Sequence, residues 1–254
     1  MISDAFFKLR RQLLLALVPI VLDLFGFLVG LAVYGFSGGS KLTLKLTLNI
    51  GLPSVSSLLD RQFMPGGIQF NFSEAAPFAA ILLFVLFMML SAFFQGGFIS
   101  LLQKAAEDRR ISLEHFFRGA VHYFARFFVL QLLIMLVFLA AGGLFLITLG
   151  LVGGLLFLVV FLWLRILFVY LEFTIVTDDL SLAASFGQAR HYFRRRLPDT
   201  AFIIIAIIAC AAVFALLING LWFPLPFLIL LIAYDFVASG LQLALMLSLL
   251  RIRG

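Results

Sequence analysis

Apolar positions run along this chain in blocks too long for a soluble core. The first block covers 13–34, interrupted only by Asp23 and softened by Pro19. A second, 75–103, contains no charge, Glu74 lying just before it. Residues 127–164 form a third run of 38 positions with no charge at all. As one helix that run would be roughly 57 Å long at about 1.5 Å per residue, nearly twice a bilayer core, so it must turn. The glycines at 150, 153 and 154 are where a turn is expected. The same stretch then supplies two spans, 127–149 and 152–174, the second holding Arg165. From 201 to 250 the only charge is Asp235, and Asn219-Gly220 followed by Pro224 and Pro226 marks another turn. Spans at 200–219 and 226–250 complete a predicted set of six.

Two other periodicities lie between these blocks. Residues 111–127 (ISLEHFFRGAVHYFARF) and 180–196 (LSLAASFGQARHYFRRR) share eight of 17 positions at an offset of 69. In the first, Leu113, Phe116, Phe117, Ala120, Val121 and Phe124 recur at helical spacing, with Glu114, His115, Arg118 and His122 opposite. Ser112 and Ser181 suit N-caps, Asp178-Asp179 suits a helix start and Arg194–Arg196 a helix end. A fainter copy, Asp4 to Lys8, precedes the first span at an offset of 110 from Glu114–Arg118. The excess, 110 − 69 = 41, equals the length of segment 35–75. The expected architecture is therefore an all-α membrane protein, 1–254, in a single membrane domain of three tandem units. Each unit is an amphipathic elbow helix followed by two spans: 1–104 with its insert 35–75, then 105–174, then 175–254. The insert alternates strictly through Leu42, Leu44, Leu46, Leu48 and Ile50, and again at Ile68, Phe70 and Phe72. That is the pattern of half-buried strands and predicts a small extracytoplasmic β-hairpin. A two-stranded ribbon alone is marginal, so its apolar face (Leu42, Leu44, Leu46, Leu48, Phe70, Phe72) should rest on the spans or on a protein partner, by strand addition in the latter case.

Composition agrees with this reading. The chain is 64% hydrophobic and 12% charged, against roughly 45–50% and about 25% for a soluble domain. A soluble enzyme, a disordered chain and a disulfide scaffold are excluded, and the single Cys210 cannot pair within the chain. The net charge of +6 is not diffuse. Fourteen of the 18 basic residues fall in the N-terminus, 104–126, 178–199 and the C-terminus, three (Lys41, Lys45, Arg61) on the opposite side and one, Arg165, in a span. By the positive-inside rule both termini are expected in the cytoplasm of a bacterium, the protein being multi-pass in its inner membrane. No cleavable leader is expected; the first span is read as retained. Nucleic acid is not needed to explain the charge.

The candidate chemistry is sparse. Asp23, Arg165 and Asp235 are expected about 11, 8 and 15 residues from the cytoplasmic helix ends, close enough in depth to form one intramembrane polar network. That network reads either as a static ion pair fixing the helices or as a proton or substrate path. Gln95, Gln131, Asn219 and Gln242 are expected to bridge helices, and Glu172 to sit at the interface. The basic and aromatic elbow positions Arg118, His122, Tyr123, Arg126, His191, Tyr192, Arg194, Arg195 and Arg196 read as a lipid interface meeting anionic headgroups, either as an anchor or as a lipid sensor. No metal or cofactor is expected: His115, His122 and His191 lie on two elbows, with no HExxH motif or nucleotide fingerprint.

The stretch Asp178-Asp-Leu-Ser-Leu-Ala-Ala-Ser185 with His191-Tyr-Phe-Arg-Arg195, and its counterpart over 112–126, resembles a broad group of bacterial six-helix membrane proteins. The YciC-like inner-membrane proteins and the membrane domain found beside glycerophosphodiester phosphodiesterases belong to that group. The resemblance covers most of the membrane part and not the insert, and it implies no catalytic residues. The expected function is a non-enzymatic scaffold or accessory subunit binding lipid and a protein partner. A small transporter or channel using Asp23, Asp235 and Arg165 is the alternative, and an intramembrane enzyme the weakest reading.

Overall fold

Local signals place the helix ends. A computed structural model describes residues 1–36, 38–45, 47–60, 77–195 and 197–253. The helices are α1 (Ile2–Arg11), α2 (Leu14–Tyr34), α3 (Pro77–Ala106), α4 (Leu113–Leu167), α5 (Leu171–Thr177), α6 (Leu182–Arg195), α7 (Leu197–Gly220) and α8 (Pro224–Arg253). The Ser112 hydroxyl accepts from the His115 N–H and starts α4, and the Ser181 hydroxyl accepts from Ala184 N–H at the start of α6. Pro224 opens α8, where its missing N–H would have had no partner anyway.

Five of these elements are long and apolar enough to cross a membrane, and much of their apolar surface faces outward, Ile147 being 85% exposed. The chain is a helical membrane protein. The expected count of six spans is corrected to five continuous ones among the described residues, because the third and fourth expected spans lie within one element, Leu113–Thr177. Within that element Gly150 takes φ +59°, ψ −144°, a conformation that a side chain would not tolerate. The two arms about it lie side by side: the Phe157 ring sits 5.3 Å from Phe138, and Phe161 5.6 Å from it. Along an unbroken helix Phe138 and Phe157 would be about 28 Å apart. The second elbow is likewise not a separate helix; its residues are the opening turns of α4.

Helix α8 is the axis of the molecule, its residues from Ala238 to Met246 all buried. It packs against α1, α2, α3, α6 and α7. Helices α3 and α4 approach closely where Gly119 meets Ser100: a Cβ at Gly119 would stand 2.4 Å from that of Ser100. Gln131 bridges the same pair, donating to Gln95 Oε1 at 2.9 Å and Ser91 Oγ at 3.2 Å, as amides in spans do.

One face of the bundle gathers most of the charge. Lys8 reaches Asp108 at 2.7 Å, Arg251 reaches Asp4 at 3.5 Å and Arg253 reaches Asp178 at 3.2 Å. Both chain ends and the connections after α3 and α5 therefore share this elbow face. Asp108 and Asp179 turn those connections with positive φ, which aspartate tolerates better than most residues.

The expected β-hairpin is corrected too. No strand occurs among the described residues; those within 41–54 have no regular secondary structure, and Val55–Leu58 is a single 3-10 turn. Residues 61–76, with Phe70 and Phe72, and Leu46 lie outside the described residues. Leu42 is 91% exposed and Leu44 exposed, whereas Leu48 and Ile50 are buried. The alternating positions thus do not share one surface. The segment does not lie over the helix ends; it runs down into the bundle.

Candidate functional site

The path of residues 41–60 is set by side-chain amides of the helices. At the face opposite the elbows, the Lys41 N–H donates to the Asn219 carbonyl at 2.9 Å, at the end of α7. The chain descends to Gly51. There the Gln242 side chain of α8 acts as a strand partner, its Nε2 donating to Asn49 O at 2.6 Å and its Oε1 accepting from Gly51 N at 3.2 Å. Gly51 has φ +85° and lies against Gln95, whose Nε2 would be 2.7 Å from an added Cβ. Gln95 and Gln242 each stand eleven residues before the last residue of their helices, Ala106 and Arg253. The tip is thus roughly 16 Å from the elbow-side helix ends, well inside an apolar slab about 30 Å thick.

The returning limb is held as firmly. Ser54 Oγ donates to Asp23 Oδ1 at 2.7 Å, and the Val55 N–H donates to Asp23 Oδ2. Asp23, in the middle of α2, thereby caps the 3-10 turn. Asn219 closes the circuit: its Nδ2 donates to Leu58 O at 3.0 Å and its Oδ1 accepts from Asp60 N at 3.1 Å. One asparagine therefore clamps the segment where it enters and where it leaves. Lys45 ties the limbs together by donating to Leu59 O. Residues 41–60 are a re-entrant loop.

Beneath this loop the Asp23 and Asp235 carboxyls face each other at hydrogen-bonding range. Asp23 is 2% exposed and Asp235 fully buried. Asp23 receives two loop donors; neither oxygen of Asp235 receives an N–H or O–H among the described residues. One turn along α8 the Ser239 hydroxyl is also buried and unpartnered. Beside them, Asn49 Nδ2 donates to the Tyr234 hydroxyl at 3.4 Å. A cavity of about 10 Å3, bounded by Asn49, Pro53, Cys210, Tyr234 and Gln242, lies at this level. It has room for about one water molecule.

Arg165 does not join the two aspartates. It pairs with Glu172 of α5, which is buried in the protein. Of the expected network the structure brings together Asp23 and Asp235 and leaves Arg165 apart. Ser54 and Ser239 escaped sequence reasoning; Asn219 and Gln242 were expected to bridge helices, but not to clamp a loop. Polar residues within apolar runs were the available signal, and their partners lay too far along the chain to guess.

The elbow residues are largely engaged with one another. Arg118 pairs with Glu114 at 2.6 Å. Arg126 at 2.6 Å and His122 at 3.4 Å both reach Asp179. Tyr123 donates to Val176 O at 3.2 Å and Tyr192 to Asp178 Oδ2 at 3.1 Å, so the two matching His-Tyr-Phe segments converge on one connection. His191, Arg194 and Arg195 are exposed, with no ion pair among the described residues; Arg196 lies outside them.

The Arg126 hydrogen bond, assisted by His122, holds the Asp179 carboxyl below its ordinary value of 3.8. A depressed carboxylate contributes stability that is present above the ordinary value and lost as pH falls through the folded one. The tie between α4 and this connection should therefore be intact at neutral and mildly acid pH and dissolve only below 3.8. Thermal unfolding in detergent across that range checks this: Asp179→Asn should remove the part of the acid sensitivity that high salt also removes. An unchanged acid limb would rule the tie out.

Among the described residues no group of three or more His, Cys, Asp or Glu is placed to hold a metal ion. No family model, no curated protein and no solved structure matches this chain, so the arrangement of these residues alone carries the functional reading.

Proposed function

We propose that this protein is a small membrane transport protein whose pathway is closed by the re-entrant loop 41–60. The observation that carries this reading is the loop itself. Irregular backbone has unsatisfied N–H and C=O groups, and it is tolerated at membrane depth only inside protein or along a pathway. Transporters place broken backbone beside polar side chains at that level. Here the loop is anchored to carboxyl and amide groups of α2, α7 and α8 and would have to leave them for anything to pass. Buried carboxyl groups at membrane depth are expensive and belong to ion pathways more often than to scaffolds. The membrane is the bacterial inner membrane and the elbow face is cytoplasmic, on the strength of the 14-to-3 split of basic residues. There the exposed Arg194 and Arg195 meet anionic headgroups. The resemblance to bacterial six-helix membrane proteins is compatible with this and supplies no site residues.

A second reading, an accessory subunit binding lipid and a protein partner, is favoured by one observation: Leu42 and Leu44 are exposed where the loop enters the bundle.

Release of the loop distinguishes the two. Gln242→Ala removes the partner of Asn49 O and Gly51 N. Vesicles reconstituted with this variant and loaded with a pH-sensitive dye should leak protons or K+ faster than vesicles with the unaltered protein. If thiol labelling at Ser57→Cys shows that the loop has moved while the vesicles stay as tight as protein-free ones, the transport reading is wrong.

A further inference from the structure

We propose that Asp23 and Asp235 bind one proton between them, and that this proton latches the re-entrant loop in its closed position. The inference deepens the transport reading by naming the ion; it rests on that reading for its purpose and on the geometry alone for its existence.

The two carboxyls are not equivalent. Asp23 accepts from the Ser54 hydroxyl and the Val55 N–H, the arrangement that suits an ionised carboxylate. Asp235 accepts nothing, although it is fully buried. An ionised carboxylate without donors is among the costliest groups to bury, and a second negative charge opposite adds repulsion. A carboxylic acid in that place has an O–H to donate, and the Asp23 carboxylate faces it. One proton on Asp235, donated to Asp23, therefore satisfies both groups. The Ser239 hydroxyl, buried and unpartnered, lies four residues along the same face of α8.

The surroundings offer no other compensation. Asp23 comes from α2, Tyr234 from α8 itself and Cys210 from α7, and the loop contributes the Ser54 hydroxyl and the Asn49 amide. No Lys, Arg or His of the described residues acts on either carboxyl.

The link to the loop follows from its anchors. The loop hangs on α2 through Asp23 and on α8 through Gln242. When the proton leaves Asp235 for solvent, two negative charges remain face to face on those two helices. Their separation cannot keep both anchors, so the loop lets go of one. Protonation restores the closed form with no other reactant.

The test is infrared titration of the full chain in lipid nanodiscs, with thiol labelling of Ser57→Cys in a Cys210→Ala background. A buried protonated-carboxyl band should be present in mildly acid buffer, vanish in alkaline buffer and be missing from Asp235→Asn. Labelling should rise about tenfold per pH unit until the band is gone, following the deprotonated fraction. In Asp235→Asn, whose amide still donates to Asp23, labelling should stay low at every pH. If that variant does not fold, Asp235→Ser removes the same carboxyl and performs the same subtraction of the band. The proposal is overturned by absence of the band at all pH values, by a band that survives both substitutions, or by labelling indifferent to pH. It is also overturned if the band is absent and thermal stability rises with Na+, which would make the site one for a metal cation. Vesicle flux separates the two readings. A titrating band without flux keeps the proton site and defeats the transport reading; flux without the band does the reverse.

Discussion

Replacing Arg165 with methionine should destabilise the protein by about 3–5 kcal/mol, the usual effect of leaving one member of a buried ion pair alone. The expectation comes from Glu172, which is 1% exposed and whose Oε2 already lacks a partner. Arg165 is its only ion-pair partner among the described residues. Without it the carboxylate is uncompensated in a region where water cannot take over. The double variant Arg165→Met/Glu172→Leu should recover most of the loss, because two apolar side chains of similar volume need no compensation there. Chemical denaturation in detergent checks both. A single variant that costs under about 1 kcal/mol would place the pair in the class of solvated, weakly contributing ones and remove its role in joining α4 to α5.

The second large effect should come from Asn219. Asn219→Ala strips the Asp60 N–H and the Leu58 carbonyl of their partners. Each orphaned buried group costs about 1–3 kcal/mol, so a loss of roughly 2–6 kcal/mol is expected. Asn219→Asp keeps an acceptor for Asp60 and loses the donor to Leu58, and should fall between the two. Loss of stability should be matched by faster labelling at Ser57→Cys, since Asn219 holds both limbs of the loop. A variant that is less stable yet no more labelled would show that Asn219 serves α7 through its bond to Ala215 O at 2.8 Å and not the loop.

These two residues also show what could and could not be foreseen. Asn219 was expected to bridge helices, and it does bind across elements, but its partner is a loop whose alternation read as a strand. The alternation of Leu42 to Ile50 was real; its meaning was not local. A strand needs a neighbour along its whole length, and here the backbone found single side-chain amides instead. Arg165 and the aspartates were all recognised as unusual charges in apolar runs. Their pairing was misassigned because depth along a helix says nothing about which way a side chain faces. Glu172 was overlooked as a partner because it lies only seven residues from Arg165, across a break between α4 and α5 that apolar pattern does not reveal.

What the sequence determined by itself is whatever depends on near neighbours along the chain: the apolar runs, the capping serines and a reversal near the glycines at 150, 153 and 154. Those follow from solvent and from the short reach of helical hydrogen bonding. What only the tertiary structure decided is where the re-entrant loop goes and which carboxyls meet. Asn219 meets Leu58 across 161 positions and Gln242 meets Asn49 across 193. Such contacts form because buried backbone groups must be satisfied by whatever polar side chain the packed helices bring to them, and no local pattern records that choice.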